Sequence, residues 1–111
     1  MAEYPKNYTW IVSRFGKAMK THQRLGEELL ALGPLKKKQA HLVQLAAAAA
    51  VRSEGAVHSH VRRALAAGAK PDAIYHALVL LVSTIGFPAV SAALSWAREE
   101  VEKKGGGKKG K

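Results

Sequence analysis

The 111-residue chain contains no cysteine. Without thiols it can form no disulfide, hold no metal through thiolates and carry out no thiol redox chemistry. Aromatic residues are also scarce, at 6% of the chain, so a tightly packed core has to be built largely from alanine and other small residues on closely spaced helices. A core built from small side chains gains stability when a second subunit covers the apolar faces of its helices. The composition therefore predicts a homo-oligomer.

Long apolar runs are missing as well. No stretch approaches the roughly 18 consecutive apolar residues of a membrane-spanning helix, and the N-terminus lacks the charged start, apolar run and small-residue cleavage site of a secretory leader. These absences predict a cytoplasmic, soluble protein without a membrane partner. The length and the 48% apolar content fit one compact domain, which we place at residues 1–102.

Positive charge is in excess, with a formal net charge of +10. Five of the lysines lie in the last nine residues, KKGGGKKGK, and without them the net charge is about +5. Glycines in this segment oppose helix formation, so residues 103–111 are predicted to be a disordered basic tail, with electrostatic binding to a polyanion as the alternative. No helix-turn-helix spacing or aromatic stacking platform accompanies the charge, and we expect no nucleic-acid partner.

Apolar residues recur at three- and four-residue steps along most of the chain, which is the spacing of amphipathic helices. Gly33, Gly68 and Gly86 each mark a helix end, and Gly26 marks a possible kink in the first helix. Ser53 is a candidate N-cap. No strand pattern is present, so the fold class is all-α, a compact bundle of about five helices. The predicted helices cover residues 8–32, 34–51, 54–67, 71–85 and 87–102.

Three segments in the second half of the chain carry a family resemblance: HVRRALAAGA, KPDAIYHAL and GFPAVSAAL. With the sequence around them, about sixty residues in all, they resemble the carboxymuconolactone decarboxylase and alkylhydroperoxidase D-like family. The resemblance implies an all-α fold and assembly into a homo-oligomer, commonly a trimer or a hexamer.

Redox members of that family carry two cysteines separated by two residues, followed four residues later by a histidine that takes part in proton transfer. In this chain those positions are Ser53, Ala56 and His60. A hydroxyl and a methyl group cannot cycle through a disulfide, so peroxidase and disulfide-reductase activity are not expected. The redox members also carry a glutamate one helix earlier, at the position where this chain has His41. A histidine at this position can still relay a proton.

Decarboxylase members also lack the cysteine pair, so the resemblance leaves a lyase activity open. They often place an acidic residue four positions before the histidine, where this chain has Ala56. Glu54 is close in sequence but points elsewhere on a helix. His76 stands where the family usually has a glutamate.

The histidines allow two interpretations. In the first, His41, His60 and His76 form a pocket that performs acid–base chemistry on a small carboxylate, with binding of a divalent metal as the alternative use of the same nitrogens. In the second, each is a polar helix or interface residue with its own hydrogen bonds. His58 and His60 lie about 200° apart on a helix and do not share a metal ion easily, so neither a metal nor another cofactor is predicted. Tyr75 either supplies a hydroxyl group to the pocket or is a packing residue. Arg62 either binds an anionic substrate or is simply solvated. The candidate catalytic residues are His60, His41 and His76, and the candidate substrate-binding residues are Tyr75, Arg62 and Ser53.

Two functions follow from these residues. One is acid–base chemistry on a small carboxylate or lactone, of the decarboxylase type. The other is a non-catalytic oligomeric module that keeps the fold and serves in binding or assembly. Histidines gathered around a cavity favour the first function, and dispersed histidines favour the second.

Overall fold

Helices account for all of the regular secondary structure in the part of the chain that the computed structural model describes, residues 6–109, with side chains described through Lys103. The predicted all-α fold is therefore confirmed. The helices are α1 (Lys6–Arg14), α2 (Gly16–Ala31), α3 (Lys37–Ala50), α4 (Glu54–Ala66), α5 (Pro71–Val79), α6 (Val82–Ile85) and α7 (Phe87–Lys109).

The backbone divides into two units at Pro34 and Leu35. The first unit contains α1 and α2, and neither helix has a fully buried side chain. Trp10 and Phe15 meet edge to face, with ring centroids 6.0 Å apart.

The break in the predicted first helix lies at Phe15 and not at Gly26. Phe15 has φ −124° and ψ 42°, outside the helical region. The adjacent Gly16 has a high entropic cost of ordering in a helix interior, which favours a break here. Gly26 is flanked by leucine and glutamate, which are good helix formers, and α2 continues through it.

The second unit contains the core, which is built from α3, α4, α5 and α7. Six of the eleven residues in its buried apolar cluster are alanine, as the shortage of aromatic residues predicts. Small side chains let helix axes approach closely, so α4 packs tightly against both α3 and α7. The cluster consists of Leu45, Ala48, Ala49, Val57, Val61, Ala64, Ala69, Ile74, Leu78, Ala93 and Ala97.

Predicted capping residues fix the ends of α4. Ser53 is the N-cap, and its Oγ accepts a hydrogen bond from the Ala56 N–H at 3.3 Å. Gly68 follows the last turn with φ +102°, a conformation that glycine adopts at low cost. These two residues set the length of α4 and therefore the positions of its histidines.

Three differences from the predicted helices are larger than two residues. The second helix begins at Lys37 because Lys36 is extended, and its N–H is capped by Gln39 Oε1 at 3.2 Å. The predicted helix 71–85 is divided into α5 and α6 by a turn at residues 80–81, within a run rich in β-branched residues that are weaker helix formers. The backbone of α7 continues past residue 102 to Lys109, through the three glycines from which a tail is predicted. The last two residues of the predicted tail lie outside the described range, and the single domain at 1–102 stays a prediction.

Within residues 6–109, no helix combines the length and apolar character needed to cross a lipid bilayer.

Replacing Leu45 by alanine tests the core. Its side chain is fully buried, so we expect Leu45→Ala to lower the free energy of unfolding by about 2 to 4 kcal/mol through lost burial and a residual cavity. Val43→Ala on the same helix is the control, because Val43 is 58% exposed, and should change stability by less than about 1 kcal/mol. Urea unfolding followed by circular dichroism measures both. Equal losses would contradict this assignment of the core.

Candidate functional site

His41 and His60 meet where α3 packs against α4. Their ring centroids are 5.7 Å apart and their ring planes are inclined by 37°. His41 is buried, at 5% exposure, and His60 is partly buried. Both Nδ1 atoms are buried and have no hydrogen-bond partner among the described residues. A buried polar atom without a partner is costly, so it marks a place where a ligand or water can be bound.

Burial and nearby positive charge keep both imidazoles neutral. Burial lowers the pKa of His60 to about 4, and the charges of Arg63 and His41 act in the same direction. The pKa of His41 is lowered first by burial and then by Arg63 and Lys37, while a hydrogen bond with Gln44 partly opposes the change. At neutral pH the pair therefore consists of two neutral bases beside a guanidinium group.

The structure does not place the third candidate histidine in this pair. His76 lies on α5 with an exposed side chain. Its neighbour Tyr75 is partly buried against the core, and burial raises the pKa of its hydroxyl, with Glu102 adding to the rise. The roles proposed for His76 and Tyr75 in binding or catalysis stay predictions.

Two other candidates already have structural partners. Ser53 Oγ is occupied as the cap of α4. Arg62 Nη1 donates to Glu100 Oε2 at 3.1 Å. The arginine that affects the paired histidines is Arg63 and not Arg62, because the charge of Arg63 lowers the pKa of both His41 and His60.

A buried carboxylate on α7 forms a second polar cluster that the sequence reasoning missed. Glu100 is only 3% exposed, and its Oε2 lies 2.7 Å from His58 Nδ1, 3.1 Å from Arg62 Nη1 and 3.5 Å from Lys103 Nζ. The acidic run around it suggests a solvated surface. Its spacing after Ala93 and Ala97, however, continues the buried stripe of α7, and this was the signal available in the sequence.

Glu100 is ionised at neutral pH. Burial on its own raises the pKa of this carboxyl group, but the hydrogen bond with His58 and the positive charges of Arg62 and Lys103 outweigh burial and hold the pKa below its usual value. An ionised carboxylate only accepts hydrogen bonds, so the Nδ1 atom of His58 must be the donor in their contact.

The low pKa of His60 predicts a stability that falls with acidification. Between pH 6.5 and about 4 the unfolded chain binds a proton at this residue and the folded chain does not, so stability is lost as the pH falls through this range; above it the residue is neutral in both states. Between pH 7 and pH 5 the free energy of unfolding of the wild type should fall. In His60→Gln this fall should be smaller by about 1 to 2 kcal/mol.

Urea unfolding at the two pH values measures this difference, and His22→Gln, at an exposed position of α2, should behave as the wild type does. Titration of the His60 ring by NMR provides a direct check, since an ordinary midpoint near 6.5 would contradict the buried, neutral state.

Comparison with known proteins identifies the family. The family model described as Carboxymuconolactone decarboxylase family matches residues 16–99. No curated protein and no solved structure matches the chain. The match includes the helices that carry His41 and His60 and covers well over half of the sequence. The chain therefore belongs to the carboxymuconolactone decarboxylase family.

Proposed function

We propose that this protein catalyses acid–base chemistry on a small carboxylate or lactone, as a decarboxylase-type lyase, with His60 as the proton-accepting group and His41 as its partner. The observation that carries the proposal is the pairing of a buried imidazole, His41, with a partly buried one, His60, both with buried Nδ1 atoms that have no partner in the described part of the chain. The family's printed description, a decarboxylase of carboxymuconolactone, supports the reaction type.

The electrostatics suit a proton that is taken up and passed on. A neutral imidazole accepts a proton, but burial and Arg63 disfavour the resulting cation at His60, so the cation readily releases the proton again. When a carboxylate leaves as CO₂, the electron pair of the broken bond remains on carbon and has to be protonated. His60 that has taken up a proton from solvent delivers it to that carbon and returns to its neutral form, so that each CO₂ released consumes one solvent proton. His41, whose ring lies 5.7 Å from that of His60, is placed to pass on that proton.

Arg63 gives the site a means of responding to an anionic substrate. Its charge lowers the pKa of both histidines in the empty site. A carboxylate bound beside the guanidinium offsets that charge, which raises the pKa of His60 and makes it a better base when the substrate is present. The same charge attracts the substrate.

Substitution of His60 tests this function. We expect His60→Gln to lower kcat/KM for carboxymuconolactone at least about 100-fold, because the loss of a positioned acid–base group typically costs this much. His41→Gln should have a smaller effect in the same direction. CO₂ release from the lactone measures the rate, and His22→Gln on α2 is the matched control.

Circular dichroism and molecular mass should be unchanged in His60→Gln, so that a loss of rate reports on chemistry and not on folding. Unchanged turnover in a folded variant would remove His60 from the mechanism.

A second candidate function is assembly as a non-catalytic homo-oligomer. Exposed apolar side chains support this candidate. Phe87 is 64% exposed and Leu80 is 60% exposed, and both lie where α5, α6 and α7 connect. Large exposed apolar groups of this kind are typical of surfaces that another subunit covers. A trimer or hexamer is compatible with either function.

Leu80→Glu tests the assembly. A carboxylate on an apolar interface costs desolvation, so the variant should shift from the oligomer towards the 11.9 kDa monomer. Light scattering coupled to gel filtration measures the mass. Gln23→Glu, which adds the same charge at an exposed position of α2, is the control. A monomeric wild type would contradict this candidate outright.

A further inference from the structure

Three possible metal ligands converge on the side of α4 that faces α7. His58 Nε2 lies 3.3 Å from Glu54 Oε2, one turn earlier on α4, and 3.6 Å from Glu99 Oε1 on α7. The three ligand atoms all lie within 4.8 Å of one another. His58 is 17% exposed while both carboxylates are solvent-accessible, so the cluster is open on one side.

The buried Glu100 fixes the form of the imidazole in this cluster. Because its carboxylate accepts the Nδ1 hydrogen of His58 at 2.7 Å, Nε2 is the ring nitrogen that is left to bind an ion. Nε2 lies near two further carboxylate oxygens, so a positive species between them, a proton or a metal ion, is favoured. A histidine that donates one ring N–H to a carboxylate and offers the other nitrogen to an ion is the usual arrangement around protein-bound metals.

Two of the three ligand–ligand distances fit a tetrahedral ion, and the third, between Glu54 and Glu99, is within 4.8 Å. With metal–ligand distances of about 2.1 Å, two ligands of a tetrahedral zinc ion are separated by about 3.4 Å. The two distances from His58 Nε2, 3.3 and 3.6 Å, lie on either side of this value. Octahedral neighbours at the same bond length would be only about 3.0 Å apart, so these two distances lie closer to the tetrahedral value, which is the geometry of zinc.

We propose that Glu54, His58 and Glu99 bind a zinc ion, with Glu100 as the carboxylate that orients His58. Two carboxylates offset the charge of the ion, and solvent occupies the fourth position. The sequence predicted no metal site, because the histidines that it offered as shared ligands were His41, His60 and His76, and His58 diverges from His60 on α4. The second and third ligands come from one helical turn earlier and from α7. The site is separate from the His41–His60 pair, so it does not depend on the proposed function.

Isothermal titration of the full chain with zinc chloride, in a buffer that does not bind the metal, tests the proposal. We expect saturable binding of one ion per chain. His58→Gln and Glu99→Gln should each weaken it at least tenfold. Glu100→Gln should weaken it about 10- to 100-fold, as for other residues that orient a ligand. His22→Gln and Glu102→Gln are matched controls at exposed positions and should bind as the wild type does.

The visible absorption of bound cobalt(II) provides a second measurement, which reports on the geometry of the site and not on the number of ions bound. A tetrahedral site gives intense visible absorption bands that His58→Gln should abolish and His60→Gln should preserve. Circular dichroism confirms that each variant is folded. Absence of saturable zinc binding would overturn the proposal and leave the cluster as an ion pair of a protonated His58. Zinc binding that survives both His58→Gln and Glu99→Gln would also overturn it, by placing the ion elsewhere.

Discussion

The packing of α4 between α3 and α7 is the constraint on which the chemistry of this protein depends. Alanines in the three helices allow this close approach. Because successive residues of a helix point about 100° apart, His58 and His60 face opposite neighbours. His60 therefore meets His41 on α3, while His58 meets Glu100 on α7. One helix supplies two polar clusters, each completed by a different partner.

The two clusters have opposite electrostatics. Around His60 the neighbours are positive or neutral, so burial and Arg63 together keep the ring uncharged. Around His58 the neighbours are carboxylates, one of which is buried and ionised. An anion is favoured on the first side, and a cation on the second. The same residue type thus lies in two opposite electrostatic environments.

Exposed apolar side chains offer a surface that a second subunit could cover. The core of the second unit is built mainly from small residues, while larger ones such as Leu80 and Phe87 remain outside it. A core of this composition buries little apolar area per residue, and covering the remaining faces adds to the stability of the folded state. Subunit contact would therefore both stabilise the bundle and change the solvent access of its sites.

The sequence by itself determined the helical class, the family, the cap at Ser53, the glycine ends of the helices and the absence of thiol chemistry, because all of these depend on local residue types and spacing. It also named His41 and His60. Only the tertiary structure decided that these two histidines touch, that Arg62 is committed to Glu100, and that an acidic residue in a charged run is buried. The reason is physical: contacts between residues far apart in the chain, and the burial that shifts their pKa values, depend on how the helices pack, which no local pattern specifies.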